Sequence, residues 1–175
     1  MNAQIQEASF RDFGMKARRL LLPIDLAKCP PEIFPLANDL VPPFKGEIVL
    51  LNVLDRRTNA IPFRGSGSNF RRAELLLGRV AGEFVRPSVE ASARVRIGAP
   101  CEEILAEATA NDVDLILLPT FTPSIWRRWL GPRCAETARN LITEASCRVL
   151  VVEVRTHFNC YRRWPGEEPE TRWAA

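Results

Sequence analysis

"EIVLLNVLD", residues 47–55, is apolar almost without interruption from Ile48 to Leu54, and only Asn52 breaks the run. A strand with one wet face alternates apolar and polar residues. A continuous run such as this is buried on both faces, as in a parallel sheet covered by helices. On its N-terminal side, "RRLLLPID" (18–25) reads as a short apolar strand with a charged end, and "PPEIFPLANDLV" (30–41) as a short helix with prolines tolerated in its first turn. On its C-terminal side, residues 56–68, ending in "RGSGS", read as a flexible loop. Ser68 or Asn69 is expected to cap the helix "FRRAELLLGRVAGEFV", where Phe70, Ala73, Leu77, Val80 and Phe84 recur at helical spacing.

Further out the alternation repeats. "VEASARVRIG" places Val89, Ala91, Ala93, Val95 and Ile97 on one face, the pattern of a strand at or near a sheet edge. "APCEEILAEATAND" reads as a helix with Pro100 near its first position and Glu102 and Glu103 at its positive end. "VDLILLP" reads as a buried strand that stops at Pro119. "PRCAETARNLITEAS" reads as a helix turning Ala135, Ala138, Leu141, Ile142 and Ala145 inward, and "CRVLVVEV" (147–154) as the last strand. Five strands alternating with four helices predict an α/β fold with one doubly wound, five-stranded parallel sheet and helices on both faces. Residues 1–17 read as an extension, 18–155 as one domain and 156–175 as a tail without clear periodicity, either loose or wrapped on a partner.

Composition narrows the function. The 175 residues suit one domain, and 46% hydrophobic content supplies its core. No apolar run is long enough to span a membrane, and the N-terminus lacks the apolar centre of a secretory signal, so no membrane association and a cytoplasmic location are expected. The five cysteines form no C-x-x-C pair, which argues against a disulfide framework or a zinc site and for buried thiols. Cys101 and Cys134, near helix starts, are the two whose thiol pKa the helix ends would lower. Net charge is +3, and the 21 arginines are scattered rather than gathered in a stripe, so no nucleic-acid partner is expected. The single histidine, His157, lies beyond the last strand, and no strand–helix junction carries a nucleophile-elbow or Walker motif. No enzyme activity is expected from these patterns.

Several stretches together resemble the universal stress protein family. They are "RRLLLPIDLA" with its Pro-x-Asp turn, "IVLLNVLD", "VRIGAPCEEILAEATANDVDLILL" with its Gly-x-Pro helix start, and "GPRCAETARNLITEASCRVLVVEV". The resemblance implies strand order 3-2-1-4-5, the adenine-nucleotide alpha hydrolase-like arrangement. It implies a homodimer paired through the last strand, residues 147–155, and a role in stress response through a protein partner of unknown identity. Some members hold ATP or AMP with a motif Gly-x2-Gly-x9-Gly-(Ser/Thr); others lack it and bind no nucleotide.

The resemblance assigns Pro23, Asp25 and Val53 to the adenosine part of such a site. Thr120, Thr122 and Gly131 are the candidates on the opposite side, in "LLPTFTPSIWRRWLGPR" (117–133). Both leading glycines are replaced there, by Leu118 and Phe121 or, with one deletion, by Pro119 and Thr122. Pro132 stands in place of the Ser/Thr. Glycine allows backbone N–H groups to approach phosphate closely, and Pro132 offers neither an N–H nor a hydroxyl. The expectation is a dimeric binding or regulatory module without tight ATP binding and with weak AMP or ATP binding at most. The alternative is a nucleotide switch or weak ATPase in which Thr120, Thr122, Ser124, Arg127, Arg128 or Arg133 replaces the lost groups. Asp25 fits a turn-capping role and a ligand contact equally well. Trp126 and Trp129 are expected to pack on the last helix.

Overall fold

A computed structural model describes residues 16–54, 66–121 and 133–164. Strands β1 (Arg19–Pro23), β2 (Glu47–Leu54), β3 (Glu90–Ile97), β4 (Leu115–Phe121) and β5 (Arg148–Val154) form one parallel sheet in the order β3-β2-β1-β4-β5. Helices α1 (Ile33–Leu40), α2 (Ser66–Phe84), α3 (Pro100–Ala110), α4 (Arg133–Glu144) and α5 (Cys160–Arg163) accompany them. The parallel sense is the one that alternating strands and helices lead to, and the order is the one that the resemblance implies.

Successive residues of the central strands feed opposite layers. Leu20, Leu22, Ile48 and Leu50 pack with Phe34 and Ala37 of α1 and with Leu76, Leu77 and Val80 of α2. Leu21, Val49 and Leu51 pack with Ile104 and Ala108 of α3 and Leu141 of α4. This two-sided burial is why Leu20–Leu22 of β1 and Ile48–Leu51 of β2 are apolar without a break: helices cover both faces. At about 25 cal/mol per Å² of apolar surface, burying one such leucine contributes about 1.5–3 kcal/mol. β3 is the edge strand, as its alternation predicts. Its Ala93 and Val95 reach the first layer, while Ala91 is exposed.

Polar contacts fix the ends of the strands. The Asp114 carboxylate accepts from the backbone N–H groups of Arg18 and Arg19 at 2.8 and 2.9 Å, so it staples the start of β1 to that of β4. Arg96 of β3 pairs with Glu107 of α3, only 3% exposed, at 2.5 Å and with Glu103 at 3.3 Å. Asn111 Nδ2 donates to the same Glu107 at 2.7 Å, so the buried carboxylate is fully engaged. Pro100 starts α3 with Glu102 and Glu103 in its first turn. A Cβ on Gly98 would lie 2.3 Å from the Glu103 carboxylate, so a larger residue here requires the Glu103 side chain to shift.

Four readings need correction. β4 does not stop at Pro119 but continues to Phe121, with Pro119 opposite Val152 of β5. α2 begins at Ser66, so Ser68 and Asn69 lie inside the helix rather than capping it, and part of "RGSGS" is helical. Ile142 of α4 is 60% exposed rather than inward, whereas Leu141 is fully buried. The tail is not loose through residue 164. After β5 the chain crosses the loop that follows β1, and there Cys29 and Phe158 exchange backbone hydrogen bonds of 2.8 and 2.9 Å.

This strap, residues 155–164, is held at three places. The Glu32 carboxylate accepts from the backbone N–H of Arg155 and, at 2.6 Å, of Thr156. Cys160 N–H donates to the Leu26 carbonyl at 2.9 Å. Phe158 stacks on Phe84 of α2, which itself stacks on Phe34 of α1, with ring centroids 5.6 and 4.8 Å apart. The Arg163 guanidinium lies over Phe158, 4.9 Å from its centroid, and pairs with Glu83.

Candidate functional site

The two seams flanking β1 differ in length. Against β2, β1 is paired from Arg19↔Glu47 to Pro23↔Leu51. Against β4, the pairing is Leu20↔Leu115 and Leu21↔Ile116, and the ladder ends there. β4 itself remains paired with β5 as far as Phe121↔Val154. A crevice therefore opens between β1 and β4 at their carboxyl ends, the topological switch point where open α/β sheets hold ligands. The same geometry explains Pro119. Beyond Ile116, β4 has a hydrogen-bonded neighbour on one side only, so a residue lacking an N–H is tolerated there.

Pro23 is buried at the end of β1. The next residue continues the closed seam, with Ile24 N–H donating to the Leu51 carbonyl at 2.8 Å. Asp25 follows and is exposed. Its Oδ1 accepts from Ala27 N–H at 2.8 Å, and its carbonyl accepts from Lys28 N–H at 2.8 Å. The turn-capping role is thus realised through one carboxylate oxygen, and Oδ2 makes no hydrogen bond among the described residues. Val53 lies two residues beyond Leu51, half-buried against the second layer. The structure brings Pro23, Asp25 and Val53 together at the ends of adjacent strands.

Thr120 stands across the crevice on β4, and its hydroxyl donates to the Val152 carbonyl at 3.2 Å, toward β5. Thr122, Ser124, Trp126, Arg127, Arg128, Trp129, Gly131 and Pro132 lie outside the described residues, as do the side chains of Arg133 and Cys134. Among the described residues no three His, Cys, Asp or Glu side chains gather as a metal site, and no helix is long and apolar enough to cross a membrane.

Sequence reasoning passed over two neighbours of this site. Asn52 is 4% exposed; its Nδ2 donates to the Ile24 carbonyl at 2.8 Å, while its buried Oδ1 has no hydrogen-bond partner among the described residues. The signal was present in the sequence, since Asn52 is the one polar residue in "IVLLNVL". Tyr161 of the strap is the other. Burial, and then the nearby Asp25 charge, push its phenol up to about 12, with the Arg72 guanidinium over the ring at 5.2 Å opposing the shift. The strap therefore sits within electrostatic reach of Asp25.

Of the cysteines with described side chains, Cys29 and Cys160 are buried and Cys101 and Cys147 half-buried. The Cys101 thiol is raised, not lowered, by burial and by the charges of Glu144 and Glu102. Desolvation outweighs the helix end there.

Comparison with known proteins agrees with this architecture. The hypothetical protein MJ0577 superposes with a TM-score of 0.61 at 22% identity, over 78% of this chain and 95% of its own. The universal stress protein UspA from Lactobacillus plantarum gives 0.53 at 22% identity, over 78% and 98%. A universal stress protein solved in complex with cAMP gives 0.50 at 16% identity, over 79% and 98%. Comparison with curated protein sequences finds no match. The sequence model of the universal stress protein family matches residues 16–153, from just before β1 to the end of β5, and the chain belongs to that family.

Proposed function

We propose that this protein is a non-enzymatic regulatory module of the stress response that takes a small adenine-containing ligand in the β1/β4 crevice and does not bind ATP tightly. The observation that carries the reading is the early end of the β1/β4 ladder beside an exposed Asp25 whose Oδ2 makes no hydrogen bond among the described residues. A relative of the same fold was solved with cAMP, which supports an adenine ligand of modest size. Against tight ATP binding stand the two substituted glycines and Pro132. A charge-assisted hydrogen bond contributes about 1.5–3 kcal/mol, so losing the amide and hydroxyl at 132 and one close approach removes about 3–6 kcal/mol. At about 1.4 kcal/mol per tenfold, that weakens a micromolar site by roughly two to four decades.

Titration calorimetry with ATP, AMP and cAMP, with and without magnesium, tests this. AMP or cAMP is expected to bind more tightly than ATP, and Asp25→Ala to abolish the signal. An ATP Kd below about 10 micromolar, near −7 kcal/mol, overturns the reading in favour of a nucleotide switch, and phosphate release would make it an ATPase. We further propose a homodimer through residues 147–155. β5 is the last strand of the sheet order and carries Val151 at 38% exposure. Such an edge invites pairing with its own copy about a two-fold axis. Light scattering that returns a monomer at micromolar concentration removes that part of the proposal.

A further inference from the structure

Cys29 and Cys160 are 131 positions apart in the chain, yet both are fully buried and meet where the strap crosses the loop after β1. The backbone holds them there twice. Cys29 exchanges both hydrogen bonds with Phe158, and Cys160 N–H donates to Leu26, three residues before Cys29. Both side chains belong to the same buried cluster of the first layer. We infer that Cys29 and Cys160 form a redox modification site, a dithiol that hydrogen peroxide converts to an intramolecular disulfide fastening the strap to the loop that carries Asp25.

The chemistry balances with the peroxide as sole oxidant. One sulfur attacks a peroxide oxygen, the O–O bond breaks, and water leaves a sulfenic acid. The second sulfur attacks that sulfenic sulfur, the S–O bond breaks, and a second water leaves. Two thiols are oxidised and the peroxide is reduced to two waters. Proximity makes the second step fast relative to attack by another molecule's thiol.

Access limits the first step. The neighbouring Cys160 and burial hold the Cys29 thiol above its ordinary range, so the closed strap protects it. Oxidation then reports strap opening, and the bond, once made, prevents reopening. Glu32 holds the strap at Arg155 and Thr156, so its loss is expected to speed oxidation several-fold.

The test uses full-length protein carrying Cys101→Ser, Cys134→Ser and Cys147→Ser, which leaves the buried pair as the only thiols. Of these, Cys101 and Cys147 are half-buried rather than fully buried, and circular dichroism checks folding before oxidation. Hydrogen peroxide is expected to remove two hydrogens from the intact mass, to leave monomer mobility on a non-reducing gel, and to link the Cys29 and Cys160 peptides. Closing so long a loop is expected to raise Tm by about 10 °C, reversibly with dithiothreitol. Recovery of both thiols free after prolonged exposure, sulfinic acids in place of the link, or a disulfide-linked dimer each overturns the assignment. Wild-type protein provides a second measurement. There, a Cys29 or Cys160 peptide linked to any other cysteine, with none joining the two, also overturns it.

Discussion

The seam between β1 and β2 and the seam between β1 and β4 start from the same strand and end differently. The first runs to Pro23↔Leu51 and is extended by Ile24 N–H on Leu51 and by the Asn52 side chain on Ile24. The second is stapled firmly at its start by Asp114 and ends at Leu21↔Ile116. One seam spends its backbone groups on structure to the last residue. The other leaves polar backbone uncommitted at the point where α/β sheets take ligands, and the fold tolerates this because β5 and β2 hold the two strands from outside. Stability and binding are divided between the two sides of β1.

The largest expected effect breaks the closed seam. Leu50 is fully buried between α1 and α2, and Leu50→Ala is expected to cost about 2–5 kcal/mol, read as a lowered urea midpoint at unchanged slope. A loss under about 1 kcal/mol would mean that the first layer repacks freely. Next comes the side-chain rung that prolongs the seam. Asn52→Ala leaves the Ile24 carbonyl without its donor and is expected to cost about 1–2 kcal/mol. Amide exchange at Ala27 and Lys28 should rise with it, since the Asp25 turn loses its anchor. Unchanged exchange there would separate the turn from the seam.

A smaller effect belongs to the strap beside the open seam, and it depends on pH. Burial alone would raise the Glu32 carboxyl, but hydrogen bonds from the backbone of Thr156 and Arg155 outweigh it and hold the group below its usual 4.5. A depressed folded pKa contributes stability that is complete above 4.5 and is lost as pH falls through the folded value. Amides 155 and 156 are therefore expected to lose exchange protection below about pH 4.5 in wild type, while Glu32→Gln removes that pH step. A step that survives in Glu32→Gln would assign it to another carboxylate. The smallest effect is expected at the open seam itself. Pro119→Ala restores an N–H facing no neighbouring strand and is expected to lose less than about 1 kcal/mol, mostly through a freer unfolded chain. A larger change would show that β4 is constrained on both sides.

Legibility followed the range of the interaction. "EIVLLNVLD" announced a doubly buried strand because burial on two faces is written in adjacent residues, and Pro23–Asp25 announced a turn for the same local reason. Pro119 misled because a proline is read as a local stop, whereas its tolerance depends on which neighbours β4 has. Ile142 misled because helical spacing defines a stripe but not its rotation against the sheet. Leu141 and Ala145 won that orientation, and Ile142 was turned outward. The strap left no trace in periodicity. A four-residue helix has no period to show, and Phe158, Cys160 and Trp164 are held by partners more than seventy positions away. The candidate residues Pro23, Asp25 and Val53 were assigned by the resemblance rather than by local pattern, and of these the residues alone announced only the Asp25 turn.

The strand order also sets a timetable for the chain as it is made. β1 is the first strand synthesised and the central strand of the sheet, yet its second neighbour, β4, is nearly a hundred residues away, and Asp114 must arrive before the amides of Arg18 and Arg19 are satisfied. Until then a fully apolar strand stands with one edge bare, the condition in which nascent chains aggregate or engage chaperones. Closure of the strap over Leu26 and Cys29 comes later still, because residues 155–164 follow all five strands of the sheet. Such non-local pairing makes for slow folding, and the first layer is complete only after every strand has been made.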